Sequence, residues 1–292
     1  MKFHKLVIWA IALGCFPALA AAEGVVEERR AMAGDGTVTV INVAGEISIS
    51  TWDQPEVKLV ADLGNDQELK VSENSQGVRF EVVHVGFVND HDEADLELLV
   101  PEGASVVAEG VSSDINIKGC KGKSLTAESV SGDVTVEAEV ARADLSSVSG
   151  DVEFGGAAKR TTAESVSGDI ELDGVSGEVS VTTVSGDAVM GAGLVERGQF
   201  ETVSGTLQLH FAAADGGRVT VQSMSGDVVL TLPEGQSADF NAQTFSGDIE
   251  SAWGEVAHES FGAGSHLKHA EGQGGAQIRV ESFSGDVRID HR

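Results

Sequence analysis

The residues of this chain whose type and spacing most suggest a chemical role are aspartates. They recur in the tripeptide Ser-Gly-Asp or a close variant of it. Four of them follow one another at intervals of 18 residues, namely Asp133, Asp151, Asp169 and Asp187. The other copies end at Asp114, Asp227, Asp248 and Asp286. If the repeats stack in register, these carboxylates lie about 5 Å apart along one edge. Because Ca²⁺ prefers carboxylate and carbonyl oxygens, calcium is the first cofactor to consider.

A turn-forming role for the same aspartates competes with the calcium hypothesis. The repeat lacks the Gly-Gly-x-Gly-x-Asp loop of calcium-binding nonapeptide rolls, and its period is twice as long. Each corner therefore offers too few oxygens unless backbone carbonyls converge on it. We predict that the aspartates cap corners and that no cofactor is required, with calcium as the alternative. The candidate metal ligands are Asp133, Asp151, Asp169 and Asp187.

Two other clusters contain residues of metal-binding type. One is an acidic loop that combines a histidine with four acids: Asp90, His91, Asp92, Glu93 and Asp95. We favour a solvated hairpin tip there. The other comprises three histidines with spacings of eight and three residues: His258, His266 and His269. Zinc would need a formed loop and a fourth ligand at that place, so we predict no zinc site.

Motifs of known enzyme classes are missing from the sequence. It has no Gly-x-Ser-x-Gly elbow, His-Glu-x-x-His pair, phosphate-binding loop or dinucleotide fingerprint. The β-helix polysaccharide lyases and hydrolases are the enzyme alternative, and they need a groove with clustered acids and a basic residue. Here the basic residues only punctuate the repeats: Arg142, Lys159, Arg160, Arg197, Arg218, Lys268 and Arg279. We predict a protein that is not an enzyme and has no catalytic residues.

The tripeptides lie between short apolar alternations that predict the elements around them. An apolar residue such as Val148 precedes each Ser, and alternating apolar residues such as Val152 and Phe154 follow the Asp. Alternation at period two indicates a strand with one buried face, so Val152, Ile170 and Val228 should be buried. The corner Gly is expected to adopt positive φ, and the Ser and Asp side chains to bond nearby backbone N–H groups.

Repetition at a fixed short period predicts an all-β fold, a single-stranded parallel β-helix with coils of about 18–21 residues. About ten coils would form a rod roughly 45–50 Å long. The interval of 38 residues between Asp248 and Asp286 is interpreted as two coils, one without its signature, with 258–275 bulging out as a loop. The last strand, Val287–Asp290, should then be unpaired and offer an edge for end-to-end self-association.

The chain divides into three segments. Residues 1–22 resemble a signal peptide, with Lys2 and Lys5 before an apolar run and cleavage expected after Ala20 or Ala22. A lipid anchor on Cys15 is disfavoured because the residues before it form an imperfect lipoprotein box. Residues 23–110 are strand-rich N-terminal coils or a cap, and 111–292 are the regular repeats. The mature protein is expected in the periplasm, at the cell surface or secreted, without a transmembrane segment.

The charge of the chain restricts its partners. With 19 basic and 47 acidic residues, its formal net charge is −28. Such a surface repels nucleic acid and anionic membranes, and it keeps a sheet-rich rod soluble. After removal of the leader a single thiol, Cys120, remains, so no intramolecular disulfide is expected.

Several segments in a specific order resemble a known family. Gly36–Ser50, Trp52–Leu59 and Leu96–Gly103, followed by repeated Val-Ser-Gly-Asp-Ile, are similar to the bacterial putative-adhesin β-strand-repeat family, a domain of unknown function. The resemblance covers nearly all of the mature chain. It implies a single-stranded β-helix and an exported or envelope location, and it brings no established activity or functional residues.

These observations together predict a non-catalytic exported β-solenoid. Its function would be that of an adhesin, or of an envelope binding or scaffold protein that presents ladders of side chains on a rigid rod. The partner would be an unidentified envelope or surface protein or a glycan. A calcium-stabilised repeat protein and a β-helix polysaccharide-active enzyme are the alternatives.

Overall fold

The computed structural model describes residues 24–85, 93–258, 264–273 and 275–292. These residues form strands, turns and bends and contain no helix. The strands are β1 Val25–Ala31, β2 Thr37–Trp52, β3 Glu56–Asp62, β4 Gln67–Glu73, β5 Gly77–His84, β6 Ala94–Pro101, β7 Ser105–Cys120, β8 Ser124–Ser129, β9 Val134–Ser147, β10 Val152–Ser165, β11 Ile170–Asp173, β12 Gly177–Thr183, β13 Ala188–Met190, β14 Leu194–Thr202, β15 Leu207–His210, β16 Ala212–Ser223, β17 Val228–Leu232, β18 Ala238–Thr244, β19 Ile249–Ser251, β20 Ala257–His258, β21 Ser265–Glu271, β22 Ala276–Ser282 and β23 Val287–His291.

The strands stack as coils of a parallel β-helix, as the repeat predicted. Each coil contributes one stretch after a Ser-Gly-Asp corner, which we call face A, and one stretch before the next corner, which we call face B. On face A, Val134, Val152, Ile170 and Ala188 stand opposite one another in register. Face A and face B each have eleven rungs in the described residues, so the rod is about 48 Å long at about 4.8 Å per rung.

Alternate side chains on both faces point into one continuous apolar interior. The three residues predicted to be buried, Val152, Ile170 and Val228, are almost completely so. Such a core forms because no single coil can cover its own apolar side, whereas neighbouring coils cover each other. Cys120 belongs to this interior, and burial raises the pKa of its thiol to about 11, so the thiol stays protonated and unreactive at neutral pH.

The C-terminal coil does not stack in sequence order. β22 pairs in parallel with β16 on one side and with β18 on the other, and β23 lies likewise between β17 and β19. The last coil is therefore threaded between the two coils that precede it in the sequence. The interpretation of the 38-residue interval as two consecutive coils was wrong, because β21 from this interval runs antiparallel along β18 as a hairpin.

The predicted unpaired last strand was also wrong. Val287 and Ile289 have partners on both sides and are buried. At this end of the rod the outermost coil is β18–β19, and β21 covers β18. The predicted end-to-end self-association relied on a free edge of this strand, and the strand has none. Self-association itself stays untested.

The N-terminal end repeats this arrangement. β2 lies between β7 and the coil formed by β5 and β6. Antiparallel β4 then covers β5, and antiparallel β3, extended by β1, covers β6. The strand-rich segment thus supplies both coils and a cap. The predicted signal peptide, 1–22, lies outside the described residues. In the part that the structure covers, no helix has the length and hydrophobicity needed to cross a membrane.

Candidate functional site

The Ser-Gly-Asp corners stack into straight columns along one edge of the rod. At the corner of Gly150, the Ser149 N–H donates to the carbonyl of Val130 in the neighbouring coil, at 3.0 Å. The Gly150 N–H donates to Oγ of Ser147, at 2.9 Å. The Ser149, Gly150 and Asp151 N–H groups are satisfied in this way by a stacked coil or by a hydroxyl, which makes the corner rigid.

The corner aspartates form the ladder that the sequence predicted, but they bond differently from a local cap. Oδ1 of seven corner carboxylates accepts a hydrogen bond from the backbone N–H of the equivalent residue one coil further on: Asp114, Asp133, Asp151, Asp169, Asp187, Asp227 and Asp286. The distance is 2.9 Å from the Asp151 N–H to Asp133 and 2.8 Å from the Asp169 N–H to Asp151. The carboxylates are exposed, and Thr206 replaces one of them. The predicted bond within the same turn is therefore a bond between coils.

The structure does not bring the predicted metal ligands into a cluster. Among the residues described, no group of three or more His, Cys, Asp or Glu side chains is arranged to hold a metal ion. In the acidic loop, residues 90–92 fall outside the described range. Nδ1 of His258 lies 2.9 Å from Oγ of Ser265, and Nε2 of His269 lies 3.0 Å from a carboxylate oxygen of Glu271. Independence from metals remains a prediction.

We expect calcium to leave the stability of the protein nearly unchanged. One oxygen of each ladder aspartate already accepts a backbone N–H, so few free ligands converge between coils. The melting temperature in millimolar CaCl₂ should equal that in MgCl₂ of the same ionic strength and that in chelator. A selective rise with calcium would show binding to the folded state and revive the calcium hypothesis.

The corner glycines are required for a reason other than the predicted positive φ. None of the glycines in the Ser-Gly-Asp corners has positive φ. Instead, a Cβ built on Gly150 would lie 2.1 Å from the carbonyl oxygen of Gly132, and one on Gly168 would lie 2.0 Å from that of Gly150. Stacked backbones approach so closely here that only a residue without a side chain fits.

A column of buried hydroxyls is a feature that the sequence analysis missed. Each corner Gly N–H donates to the Ser or Thr three residues before it, as Gly168 does to Ser165 and Gly186 to Thr183. The signal was in the sequence, since the repeat reads [Ser/Thr]-x-Ser-Gly-Asp at nearly every copy. These hydroxyls replace the apolar side chain expected at an inward position because the turn N–H would otherwise be buried without a partner.

Ser147→Ala should therefore destabilise the protein, whereas Ser149→Ala in the same turn should not. Loss of Oγ of Ser147 leaves the buried Gly150 N–H unpaired, which costs about 1–3 kcal/mol in the free energy of unfolding. Ser149 is exposed, and its replacement should stay within about 0.5 kcal/mol. Urea denaturation measures both. Equal effects of the two substitutions would contradict the role of the hydroxyl column.

The apolar residues that precede each corner Ser point outward and form a third column, here called the corner stripe. In stacking order it consists of Val111, Val130, Val148, Val166, Val184, Val203, Met224, Phe283 and Phe245. These side chains are 39 to 66% exposed. The sequence pattern grouped them with the buried alternation. In the structure every second side chain of face B points inward, and the last inward one before the corner is the Ser or Thr hydroxyl. The residue that follows it therefore faces solvent.

The corner stripe borders two grooves near the C-terminal end of face B. One, of about 640 Å³, runs past Val184, Val203 and Met224. The other, of about 980 Å³, lies beside Phe283 and Phe245, whose rings stack with centroids 5.1 Å apart. The stripe and the grooves together form an extended amphipathic surface along the rod axis.

The floor of the larger groove carries hydrogen-bonded polar groups. The Gln222 and Gln243 amides both donate to Glu281, at 3.1 and 2.7 Å. A hydrogen bond from Arg279 lowers the pKa of Glu281, which desolvation opposes. This groove therefore offers an apolar wall with polar groups held in place beside it.

The basic residues also differ from the prediction that they merely punctuate the repeats. Arg142, Arg160, Arg197 and Arg218 occupy consecutive or nearly consecutive rungs of one outward column on face B. Lys268 lies with the larger groove at the C-terminal end. The sequence spacing of these arginines follows the coil period, and this was the signal available for grouping them.

The chain is similar to proteins of known family and structure. A family model described as Toastrack DUF4097 matches residues 32–290. A putative adhesin from Bacteroides fragilis is 11% identical, with a TM-score of 0.44 over 93% of this chain and 98% of that one. A putative adhesin from Parabacteroides distasonis is 13% identical, with a TM-score of 0.36 over 90% and 96%. Comparison with curated proteins finds no match.

Proposed function

This chain belongs to the Toastrack DUF4097 family, and we propose that it is a non-catalytic exported rod that binds an envelope or surface partner through the corner stripe and its grooves. Membership confirms the resemblance carried by the sequence motifs. The family is one of unknown function, so the proposal rests on the surface of this chain. The single observation that carries it is the corner stripe, an unbroken run of nine exposed apolar rungs.

The corner stripe has no structural need to be apolar. Its side chains lie outside the core, and the corner is already held by backbone bonds, hydroxyls and carboxylates. Soluble proteins rarely expose long contiguous apolar surfaces unless these contact a partner. The strong negative charge elsewhere on the rod keeps such a surface soluble while it is unoccupied.

The aromatic end of the stripe is the proposed anchor. Phe245 and Phe283 are 66% and 58% exposed, and the neighbouring Met224 is 56% exposed. Stacked aromatic rings offer a large rigid contact area that loses little conformational freedom on binding, and aromatic residues dominate binding energies at interfaces. The adjacent polar groups of Gln222, Gln243 and Glu281 would then select the orientation of the partner.

Export through residues 1–22 and a place in the periplasm, at the surface or outside the cell are part of this proposal. The positive start, apolar run and small residues of that segment support it. The regular stacking of the coils supports a scaffold role as well, since a rod about 48 Å long holds its two ends at a set distance.

Removing apolar surface from the corner stripe should weaken attachment without weakening the fold. We expect Val148→Thr, Val166→Thr and Val184→Thr combined, and separately Phe245→Ser with Phe283→Ser, to reduce binding to isolated cell envelopes of the native host. The loss should be about tenfold or more for the aromatic pair, as for interface anchors. Sedimentation of labelled protein with envelopes measures it.

Val189→Thr is the matched control, because Val189 is 40% exposed but lies on face A, outside the corner stripe. Thermal melts should confirm that all variants fold. If the stripe variants sediment with the envelopes as much as the native protein does, the proposed binding surface is refuted. Release of soluble sugar fragments from the envelopes would refute the non-catalytic part and favour the polysaccharide-active alternative.

A further inference from the structure

A column of arginines on face B is a second surface, distinct from the corner stripe. Arg142, Arg160, Glu178, Arg197 and Arg218 stand on five successive rungs in register. We call this set the arginine column. Four arginines to one glutamate is an unusual concentration in a chain with 19 basic and 47 acidic residues.

Stabilisation of the stack does not explain the arginine column. Glu178 accounts for part of it, since Nε of Arg160 lies 2.7 Å from one carboxylate oxygen and Nη1 of Arg197 lies 2.9 Å from the other. However, Arg142 stands next to Arg160, and Arg197 next to Arg218, at about 4.8 Å per rung. Like charges directly opposite each other on neighbouring strands are destabilising. A column built only for stability would alternate in sign.

Two basic side chains of this surface have no ion-pair partner among the described residues. Arg218 is exposed and makes no ion pair in the part of the chain that the structure describes. Lys159, which precedes Arg160 in β10, lines a groove of about 580 Å³ together with Arg142, Arg160, Glu178 and Glu196, and it is likewise unpaired among the described residues. Arg142 has one carboxylate partner, Asp144, at 2.5 Å. Anions bound along the column would relieve the repulsion between the arginines.

Neutral hydrogen-bonding groups run beside Arg160, Arg197 and Arg218, whereas the acid Asp144 stands at the equivalent position beside Arg142. Thr162, Ser180, Gln199 and Thr220 face outward two residues further along each strand, on consecutive rungs. Together with Arg160, Arg197 and Arg218 they line a shallow groove of about 460 Å³. A ligand along the rod axis would meet guanidinium groups on one side and hydroxyl and amide groups on the other.

We propose that the arginine column binds a linear carboxylated polysaccharide lying along the rod axis. Guanidinium groups bind carboxylates in a bidentate manner, and the hydroxyl and amide column matches the hydroxyls of sugar units. Five rungs span about 20 Å, so the ligand spreads several carboxylates over several arginines. Nucleic acid fits less well, because no aromatic side chain among the described residues lines the groove for base stacking.

The test uses the folded chain and oligogalacturonate long enough to cross the five rungs. Calorimetry should show binding that weakens as salt is added. Arg197→Gln with Arg218→Gln should weaken it about tenfold or more, while the charge-matched control Arg79→Gln with Arg288→Gln, on other parts of the rod, should change it less than about twofold. Arg218→Lys should bind less tightly than the native protein, because lysine keeps the charge but lacks the planar guanidinium group that donates two hydrogen bonds to one carboxylate.

Three further probes complete the experiment: galacturonate monomer, the methyl-esterified oligomer and single-stranded DNA of equal charge. We expect all three to bind at least about tenfold more weakly than the oligogalacturonate. No binding of the oligogalacturonate, equal loss in the control variant, or equal binding of any of the three probes would overturn the proposal. Since the corner stripe variants leave the arginine column intact, their behaviour tests the proposed function separately.

Discussion

Gly150→Ala is expected to destabilise the rod by on the order of 3 kcal/mol or more, whereas Gly155→Ala in the same coil should be neutral or slightly stabilising. The added Cβ at position 150 would lie 2.1 Å from the carbonyl oxygen of Gly132, well inside van der Waals contact with backbone that cannot move independently. At position 155 the nearest atom is 4.0 Å away and φ is not positive, so alanine only removes freedom from the unfolded chain.

The same experiment separates close approach from positive φ as the reason for the corner glycine. Asparagine tolerates positive φ better than other non-glycine residues, so Gly235→Asn, at a φ of +80° with no neighbour within 4 Å, should be mild. Gly150→Asn should be as damaging as Gly150→Ala or more so. Chemical denaturation of the four variants measures this. A well tolerated Gly150→Asn would mean that the stacked backbones separate easily, contrary to the structure.

A chain that stops after residue 275 is expected to lose structure well inside the rod. The removed residues include Ile278, Val280, Val287 and Ile289, all buried between neighbouring coils. At about 1.5–3 kcal/mol for each buried apolar side chain, the loss is on the order of 5 kcal/mol or more. Because the removed coil is threaded between two others, β18 and β19 lose their parallel partner as well.

Hydrogen exchange of the truncated chain measures the effect by region. Residues 238–251 should lose protection although none of them is deleted, and a synthetic peptide of residues 276–292 added in trans should restore it. Ile249→Ala in the full chain is the control for a lesion confined to the outermost coil. Continued protection of 238–251 in the truncated chain would indicate stacking in sequence order and contradict the threaded arrangement.

Much of the fold could be predicted because its information is local. The tripeptide specifies a corner, and period-two alternation specifies which neighbours of Val152 or Ile170 are buried. A constant period then places equivalent residues in register, so the aspartate ladder follows without any knowledge of distant contacts. These features depend on a few adjacent residues, and adjacent residues are what a sequence displays directly.

The surfaces required the tertiary structure. Val148 points outward because the preceding residue, Ser147, points inward. The hydroxyl of Ser147 is needed there only because a stacked coil buries the Gly150 N–H, which donates to it. Likewise, the arginines become one column only after the register between coils is known. Both candidate surfaces therefore arise from contacts between coils and not from motifs within one coil.

By itself the sequence determined the coil: its length, the position of its corner, the inward residues that follow the corner and the family to which the chain belongs. Only the tertiary structure decided the order of the coils, the reason for the corner glycine and the exposure of the corner stripe. The physical reason is that every coil offers nearly the same pattern of hydrogen bonds and apolar side chains. Local pattern therefore leaves the choice of neighbour open, and long-range contacts at the two ends of the rod make that choice.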